Sequence, residues 1–552
     1  MRRFALLFQQ LDETNKTSAK KQALVEYFNE APPDDAAWAV AFLTGDRPKR
    51  VVPTRALVEA VCRRAQVPQW LFDECYEQVG DLSEALALLL PVNEATTDPP
   101  SLTTMIETRL LPLAKLDKEA AVAAVEESWA MLNAQQRLVW NKLLAGSFRV
   151  GVAKGVVVQA LAHVANVDSG VIAARLTGDV VKSAAGFKAL VARDGDVDNV
   201  AAFDPARPYP FYLASPIPGA HPRELGALDD FVIEHKWDGI RAQLIVRDVD
   251  GAKAVWLWSR GEEEISAAFP DVVAAAKSLP SGTVLDGELL AWQRGIDDGG
   301  VRTFNDLQQR LNRKKPSAKV LEEIGCRLLA YDLLERDGVD LRALPMQERR
   351  RRLIEVARVS GVLVSPLAQA TTWEGLDAIW RESRAHGVEG LMLKRIDSPY
   401  RAGRVRGEWW KWKVAPLSVD CVLVYAQKGS GKRAGLYSDY TFAVWNKPED
   451  ADVDSEPRKL VTFAKAYSGL SDVELKQVDA FIKRNTTERF GPVRAVEPSI
   501  VVELGFEGIA ESPRHKSGIA VRFPRILRLR QDKLAADADT VDTLRALIDL
   551  PS

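Results

Sequence analysis

Six prolines fall between positions 205 and 222 (Pro205, Pro208, Pro210, Pro216, Pro218 and Pro222), and they set the first limit on the fold. Each removes a backbone donor and resists helix, so the stretch reads as a boundary between folding units. Before it, Phe4, Leu7, Phe8 and Leu11 recur at helical spacing, as do Leu24, Val25 and Phe28. This periodicity predicts an all-helical domain over residues 1–203. After it, strand-like runs such as Val255-Trp256-Leu257-Trp258 alternate with helical ones such as Val272-Val273-Ala274-Ala275-Ala276, which predicts a mixed α/β (α+β) domain over residues 204–415. Beyond Val414, the runs Cys421-Val422-Leu423-Val424-Tyr425, Thr441-Phe442-Ala443-Val444-Trp445, Lys459-Leu460-Val461-Thr462-Phe463 and Ile500-Val501-Val502-Glu503-Leu504 are short, β-rich and separated by turn formers. They predict a small β-barrel over residues 416–552. A chain of 552 residues exceeds a single core and accommodates a multidomain arrangement of this kind.

The net charge of −2 hides local clusters. From Lys394 to Lys413 there are seven Lys/Arg against two acids, and from Arg514 to Lys533 seven against one. Local basic surface is what a phosphate backbone feels. Cys62, Cys75, Cys326 and Cys421 are scattered without a Cys-x-x-Cys pair, which argues against a disulfide framework or a four-cysteine zinc site and for a reducing compartment. The apolar run Phe4–Phe8 is too short for a signal peptide, and no stretch has the length of a membrane span, so a cytoplasmic protein without a membrane partner is expected.

The densest chemistry lies at Glu234-His235-Lys236-Trp237-Asp238-Gly239-Ile240-Arg241, between the apolar run Phe231-Val232-Ile233 and the alternating Ala242–Val246. It reads as a tight turn between two strands. Downstream, Lys411 and Lys413 alternate with Trp410 and Trp412, which on a strand puts the lysines on one face and the tryptophans on the other. Gly146-Ser147-Phe148-Arg149-Val150-Gly151-Val152-Ala153-Lys154-Gly155 stands between two helical patterns, and its glycines allow close approach to a phosphate with Arg149 and Lys154 supplying charge. Gly429-Ser430-Gly431-Lys432-Arg433 has a phosphate-loop flavour, but Ala426 stands where that motif needs its first glycine and Arg433 where it needs Ser or Thr.

The Lys236-x-Asp238-Gly239-x-Arg241 pattern resembles the nucleophile motif of nucleotidyltransferases that form a lysine–nucleotide phosphoramidate, namely DNA ligases, RNA ligases and mRNA capping enzymes. Further blocks fall in that family's order: Ser259-Arg260-Gly261-Glu262, Leu285-Asp286-Gly287-Glu288, Ala330-Tyr331-Asp332-Leu333-Leu334, Glu389-Gly390-Leu391-Met392-Leu393-Lys394, Trp410-Lys411-Trp412-Lys413, and Arg522-Phe523-Pro524-Arg525 continuing to Lys533. Together they most resemble the ATP-dependent DNA ligases of three-domain type. The helical first domain favours duplex DNA over RNA, and the lack of a four-cysteine module disfavours NAD⁺ as nucleotide donor. A DNA-binding scaffold with a decayed site is the other class of reading, against which every proposed catalytic position carries a competent residue.

What the resemblance implies is specific. Lys236 is the nucleophile toward ATP; a free lysine, with a pKa of about 10.4, needs cations or desolvation to attack as the neutral amine. Asp238, Glu288 and Glu389 occupy positions that face a metal ion, Mg²⁺ or Mn²⁺, or the ribose. Glu234 is placed to read the adenine amino group. Arg241 and Arg260 suit ribose and phosphate, and Arg260 also the phosphate of the nick. Tyr331 is the ring on which the base stacks, and Lys411 and Lys413 hold the α-phosphate. Arg522 and Arg528 belong to a C-terminal OB-fold barrel that closes over ATP, and Arg149 and Lys154 to the helical DNA-binding domain. The implied partner is nicked duplex DNA, encircled by a monomer at the nucleoid.

Overall fold

The computed structural model describes residues 1–552 apart from 15, 47–49, 92–98, 147, 149, 168, 177–181, 193–204, 262, 294–299, 312, 314, 430–434, 448–456, 492, 514 and 549–552. Ser147 and Arg149, Glu262 of the Ser259–Glu262 block, Arg514 at the start of the C-terminal basic cluster and most of the glycine-rich segment at 429–433 lie outside the described residues. The chain packs as two compact units. One gathers Met1–Asn166, Val181–Val191 and Pro416–Leu550; the other gathers Val167–Val180 and Ala192–Ala415.

Within the first unit, the N-terminal residues are helical. Helix Arg2–Glu13 buries Phe4, Leu7, Phe8 and Leu11 on one side, and helix Thr17–Glu30 buries Leu24, Val25 and Phe28, as their spacing predicts. Phe4 stacks on Phe148 with ring centroids 5.5 Å apart, so Phe148, between helices Ala134–Leu144 and Lys154–Ala165, is anchored in the helical core. Gly146 and Gly151 adopt φ of +62° and +60°, the left-handed conformation that side chains resist, and Lys154 opens the following helix.

The C-terminal residues of the same unit form an antiparallel β-barrel built around one long strand, β8 (Leu417–Lys428). Its first half pairs with Val501–Phe506 and its second half with Tyr437–Trp445 and Val493–Val496. A register shift between Leu423 and Tyr425 bends the strand so that it serves both directions. Alternating inward residues Val419, Cys421 and Leu423 join Phe442, Phe463 and Leu504 in the barrel core. The four cysteines are free thiols, and no helix among the described residues is long and apolar enough to cross a membrane.

The second unit holds two sheets. In chain order its main strands are β1 (Phe231–Trp237), β2 (Ile240–Val249), β3 (Ala252–Ser259), β4 (Thr283–Trp292), β5 (Gly325–Arg336), β6 (Val388–Arg395) and β7 (Trp409–Lys413). The strands β3-β2-β4-β5 lie side by side in one sheet, and β7-β6-β1 in the other. Val232, Ile245, Val284, Leu334, Tyr212 and Trp409 pack together between them. β1 and β2 are consecutive but belong to different sheets, so the Trp237–Ile240 turn crosses from one to the other. That crossing carries the charged motif.

Candidate active site

Gly239 brings the turn down onto β4. A Cβ there would lie 2.5 Å from the carbonyl oxygen of Leu289 and 2.8 Å from Cγ of Glu288, so only glycine lets the Lys-x-Asp-Gly segment reach the Asp-Gly-Glu strand. Asp238 sits half-buried in this turn. On the other side, β1 pairs with β6 through His235 opposite Leu391 and Trp237 opposite Val388, which leaves Lys236 at a register shift facing Glu389 and Gly390. Gly390 has φ +130°, and a Cβ on it would fall 2.1 Å from the carbonyl oxygen of Trp412. The shift brings Lys236 Nζ into contact with Glu389 Oε2, to which Lys413 Nζ also comes within 3.4 Å.

Lys411 and Lys413 share one face of β7 with Trp409, while Trp410 and Trp412 pack on the other against Phe231, Leu391 and Leu393. Trp412 lies flat against Trp380, with ring centroids 4.8 Å apart and an interplanar angle of 8°. Strand register puts Glu234, Met392 and Lys411 side by side across β1, β6 and β7.

Glu288 lies directly opposite Arg241 on β2 and β4. Burial pushes its carboxyl up to about 8, against the pull of Lys236 and Arg241 and with help from Asp286 and Glu389. Asp286 is fully buried and takes Arg241 in a two-pronged contact, Nη2 to Oδ2 at 2.7 Å and Nε to Oδ1 at 3.2 Å, while Tyr400 donates its hydroxyl to Oδ2 at 2.7 Å. Arg241 therefore spends its guanidinium on the protein itself. Tyr331 is skipped at a register shift between β4 and β5, which turns its ring toward Arg241 and Lys394. Arg260 is exposed at the end of β3, its amide bonded to the Arg241 carbonyl.

Glu234 is 2% exposed, its Oε1 accepting from Arg350 and its Oε2 from Lys394, each at 2.6 Å. Sequence reasoning gave roles to neither partner. Arg350 stands in a run of four arginines, Arg349–Arg352, whose helical pattern says only that some face inward.

In the barrel, the C-terminal basic block is largely engaged within its own domain. Arg528 pairs with Glu503 at 2.6 Å, Arg530 with Asp420 at 2.7 Å and Asp532 at 2.8 Å, and Lys533 with Asp420 at 2.7 Å. Arg522 is half-buried next to Phe523, which is exposed and holds φ +52°.

The state of Glu288 has a measurable consequence. A carboxyl whose folded pKa exceeds its unfolded one holds its proton more tightly when folded, so its contribution to stability declines as pH rises from the ordinary 4.5 through about 8 and is level above. Melting curves of wild type and Glu288→Gln, taken across this range, should diverge in the variant's favour as pH rises. A pH-independent difference would mean that the carboxyl is not perturbed.

A two-sheet domain that brings a lysine against carboxylates, flanked in sequence by helical residues and a β-barrel, has the architecture of a nucleotidyltransferase of the ligase kind. Residues 1–162 match the family described as DNA ligase N terminus, 213–413 the ATP dependent DNA ligase domain, and 433–533 the ATP dependent DNA ligase C terminal region. A probable DNA ligase of Koribacter versatilis is 34% identical over 428 residues, covering 73% of this chain and 70% of the relative. A probable DNA ligase of Anaeromyxobacter is 33% identical over 76% of this chain and 77% of its own, and the DNA ligase of Thermococcus fumicolans 28% over 99% and 97%. The solved structure described as Pmar-Lig_PreS3 shares the fold, with a TM-score of 0.58 at 15% identity over 96% of this chain and 99% of that one. The chain belongs to the ATP-dependent DNA ligase family.

Proposed function

We propose that this enzyme seals nicks between a 5′-phosphate and a 3′-hydroxyl in duplex DNA, through AMP carried on Lys236. The observation that supports this most is the meeting of Lys236, Glu389 and Lys413 near the half-buried Glu288, whose carboxyl is pushed up to about 8. In the first step Nζ of Lys236 attacks the α-phosphorus of ATP; a P–N bond forms, the α–β bridging P–O bond breaks, pyrophosphate leaves and the amine loses its proton. An oxygen of the 5′-phosphate then attacks the same phosphorus, the P–N bond breaks and the lysine is regenerated. Finally the 3′-hydroxyl attacks the 5′-phosphate, a phosphodiester forms and AMP departs.

Phosphoryl transfer of this kind depends on positioning and charge neutralisation. Lys413, which meets Glu389 as Lys236 does, and Lys411 on the same face of β7 supply positive charge for the α-phosphate. Tyr331 offers its ring to the base, and Arg260 reaches ribose or DNA phosphate. Glu288 and Glu389, with Asp238 in the turn, are hard oxygen donors of the type that Mg²⁺ or Mn²⁺ takes. Among the described residues no group of three or more His, Cys, Asp or Glu is arranged to hold a metal by itself. A pair of carboxylates suits an ion that completes its shell with water and substrate phosphates. When bound, such an ion would withdraw charge from the α-phosphate. Lys154 in the helical domain and the basic residues Arg522 and Arg528 of the barrel are assigned to DNA and ATP, respectively. Binding to DNA should weaken steeply with salt.

Incubation with α-phosphate-labelled ATP, Mg²⁺ and a nicked duplex should yield both a protein–AMP adduct and a sealed strand, with GTP and nicked RNA much poorer. Absence of any adduct, with Mn²⁺ as well as Mg²⁺, would sink the reading.

A further inference from the structure

Lys394 is 2% exposed, and its ammonium has three neighbours. Nζ donates to Glu234 Oε2 at 2.6 Å, stands 4.3 Å from the ring centroid of Tyr331 and 4.7 Å from that of Trp409. Trp409 lies opposite Lys394 in the β6–β7 ladder, so the Trp409 contact follows from strand register, whereas the Tyr331 contact joins the two sheets. Glu234 is anchored in turn by Arg350, which also donates to the Ser365 carbonyl at 2.6 Å.

Buried ion clusters of this kind gain little stability over well-packed apolar groups, because desolvation offsets the attraction. Cations against aromatic faces, by contrast, are directional and strongest where water is excluded. Glu234, itself held by Arg350, fixes the position of the Lys394 ammonium against the Tyr331 ring. Lys394 is the nearer of two cations at this ring, Arg241 Cζ standing 5.8 Å from the same centroid. We propose that Lys394, oriented by Glu234 and Arg350, is the positioning residue that fixes the Tyr331 ring for nucleotide stacking. Glu234 then serves the pocket from behind, which accords with its enclosed carboxylate. The inference rests on the proposed ATP site.

The test is the ATP dependence of enzyme–AMP formation in Lys394→Met, Tyr331→Leu and the double variant. Methionine keeps the length and apolar stem, and Glu234 keeps Arg350 as partner. Lys394→Met should raise KM for ATP about tenfold and leave the rate at saturating ATP within about threefold. In the Tyr331→Leu background the same change should add little, because its effect runs through the ring. A fluorescent stacking probe, 2-aminopurine riboside triphosphate, should be less quenched when bound to Lys394→Met than to wild type, and Lys394→Arg should restore most of the quenching. Equal, additive KM effects in both backgrounds, or a fall in rate at unchanged KM, overturn the proposal. If Lys394→Met does not fold, Glu234→Gln is read the same way, with a smaller KM rise in the same direction expected and no coupling to Tyr331 counting against it. Wild type that forms no adduct would instead defeat the proposed function; wild type that forms it, with uncoupled variants, defeats only this inference.

Discussion

Lys236→Arg should form no protein–AMP adduct, a loss of about four orders of magnitude or more in the first step. Arginine retains the positive charge beside Glu389, so the pocket keeps its ion pair and the fold its packing. A guanidinium that stays protonated offers no lone pair to the α-phosphorus. The variant should nonetheless seal a nick whose 5′-phosphate already carries AMP, because the last step draws on the 3′-hydroxyl and the pocket but not on the lysine as nucleophile. Labelled ATP tests the first half and a pre-adenylated nicked duplex the second. A labelled Lys236→Arg protein would move the nucleophile elsewhere.

The helical region, the mixed α/β character of the centre and the barrel were legible in the sequence, though not the division into two sheets, because each is written in local periodicity: Phe4, Leu7, Phe8 and Leu11 line one helix face, and Trp410 and Trp412 one strand face. The motif residues were legible by type and order. Their arrangement was not, because it depends on departures from regular pairing. Lys236 meets Glu389 at a register shift, and Tyr331 turns toward the pocket at another, and no pattern of apolar residues encodes a skipped pair. Partner choice was equally hidden. An arginine five residues after the nucleophile could face a phosphate or a neighbouring strand, and only the pairing of β2 with β4 commits Arg241 to Asp286. Lys394, quoted only as the end of a motif block, and Arg349, Arg350 and Tyr400 were given no roles, since their partners lie more than a hundred positions away. The exception is Arg349, whose partner is near in sequence yet no easier to foresee.

That pair carries the second large effect. Arg349 and Asp332 are both fully enclosed, with Nε to Oδ1 at 2.8 Å and Nη2 to Oδ2 at 2.9 Å. Nη1 of Arg349 also donates to the Ser398 carbonyl at 3.0 Å, and the Leu333 amide donates to Asp332 Oδ1 at 2.9 Å. Arg349→Met should destabilise the two-sheet unit by about 3–5 kcal/mol, because it strands a buried carboxylate with one amide for company. The loss should be visible as faster hydrogen exchange of peptides spanning β5. Activity should fall with it, since Asp332 adjoins Tyr331 and Arg349 adjoins Arg350, which anchors Glu234. Arg349→Met combined with Asp332→Leu should recover much of the stability, as apolar replacement of both partners removes the unpaired charge. If the single variant exchanges as slowly as wild type, the pair contributes nothing to holding β5 in place. If the double variant is as unstable as the single one, the loss comes from the missing Ser398 contact or from packing, and the charge is not its cause.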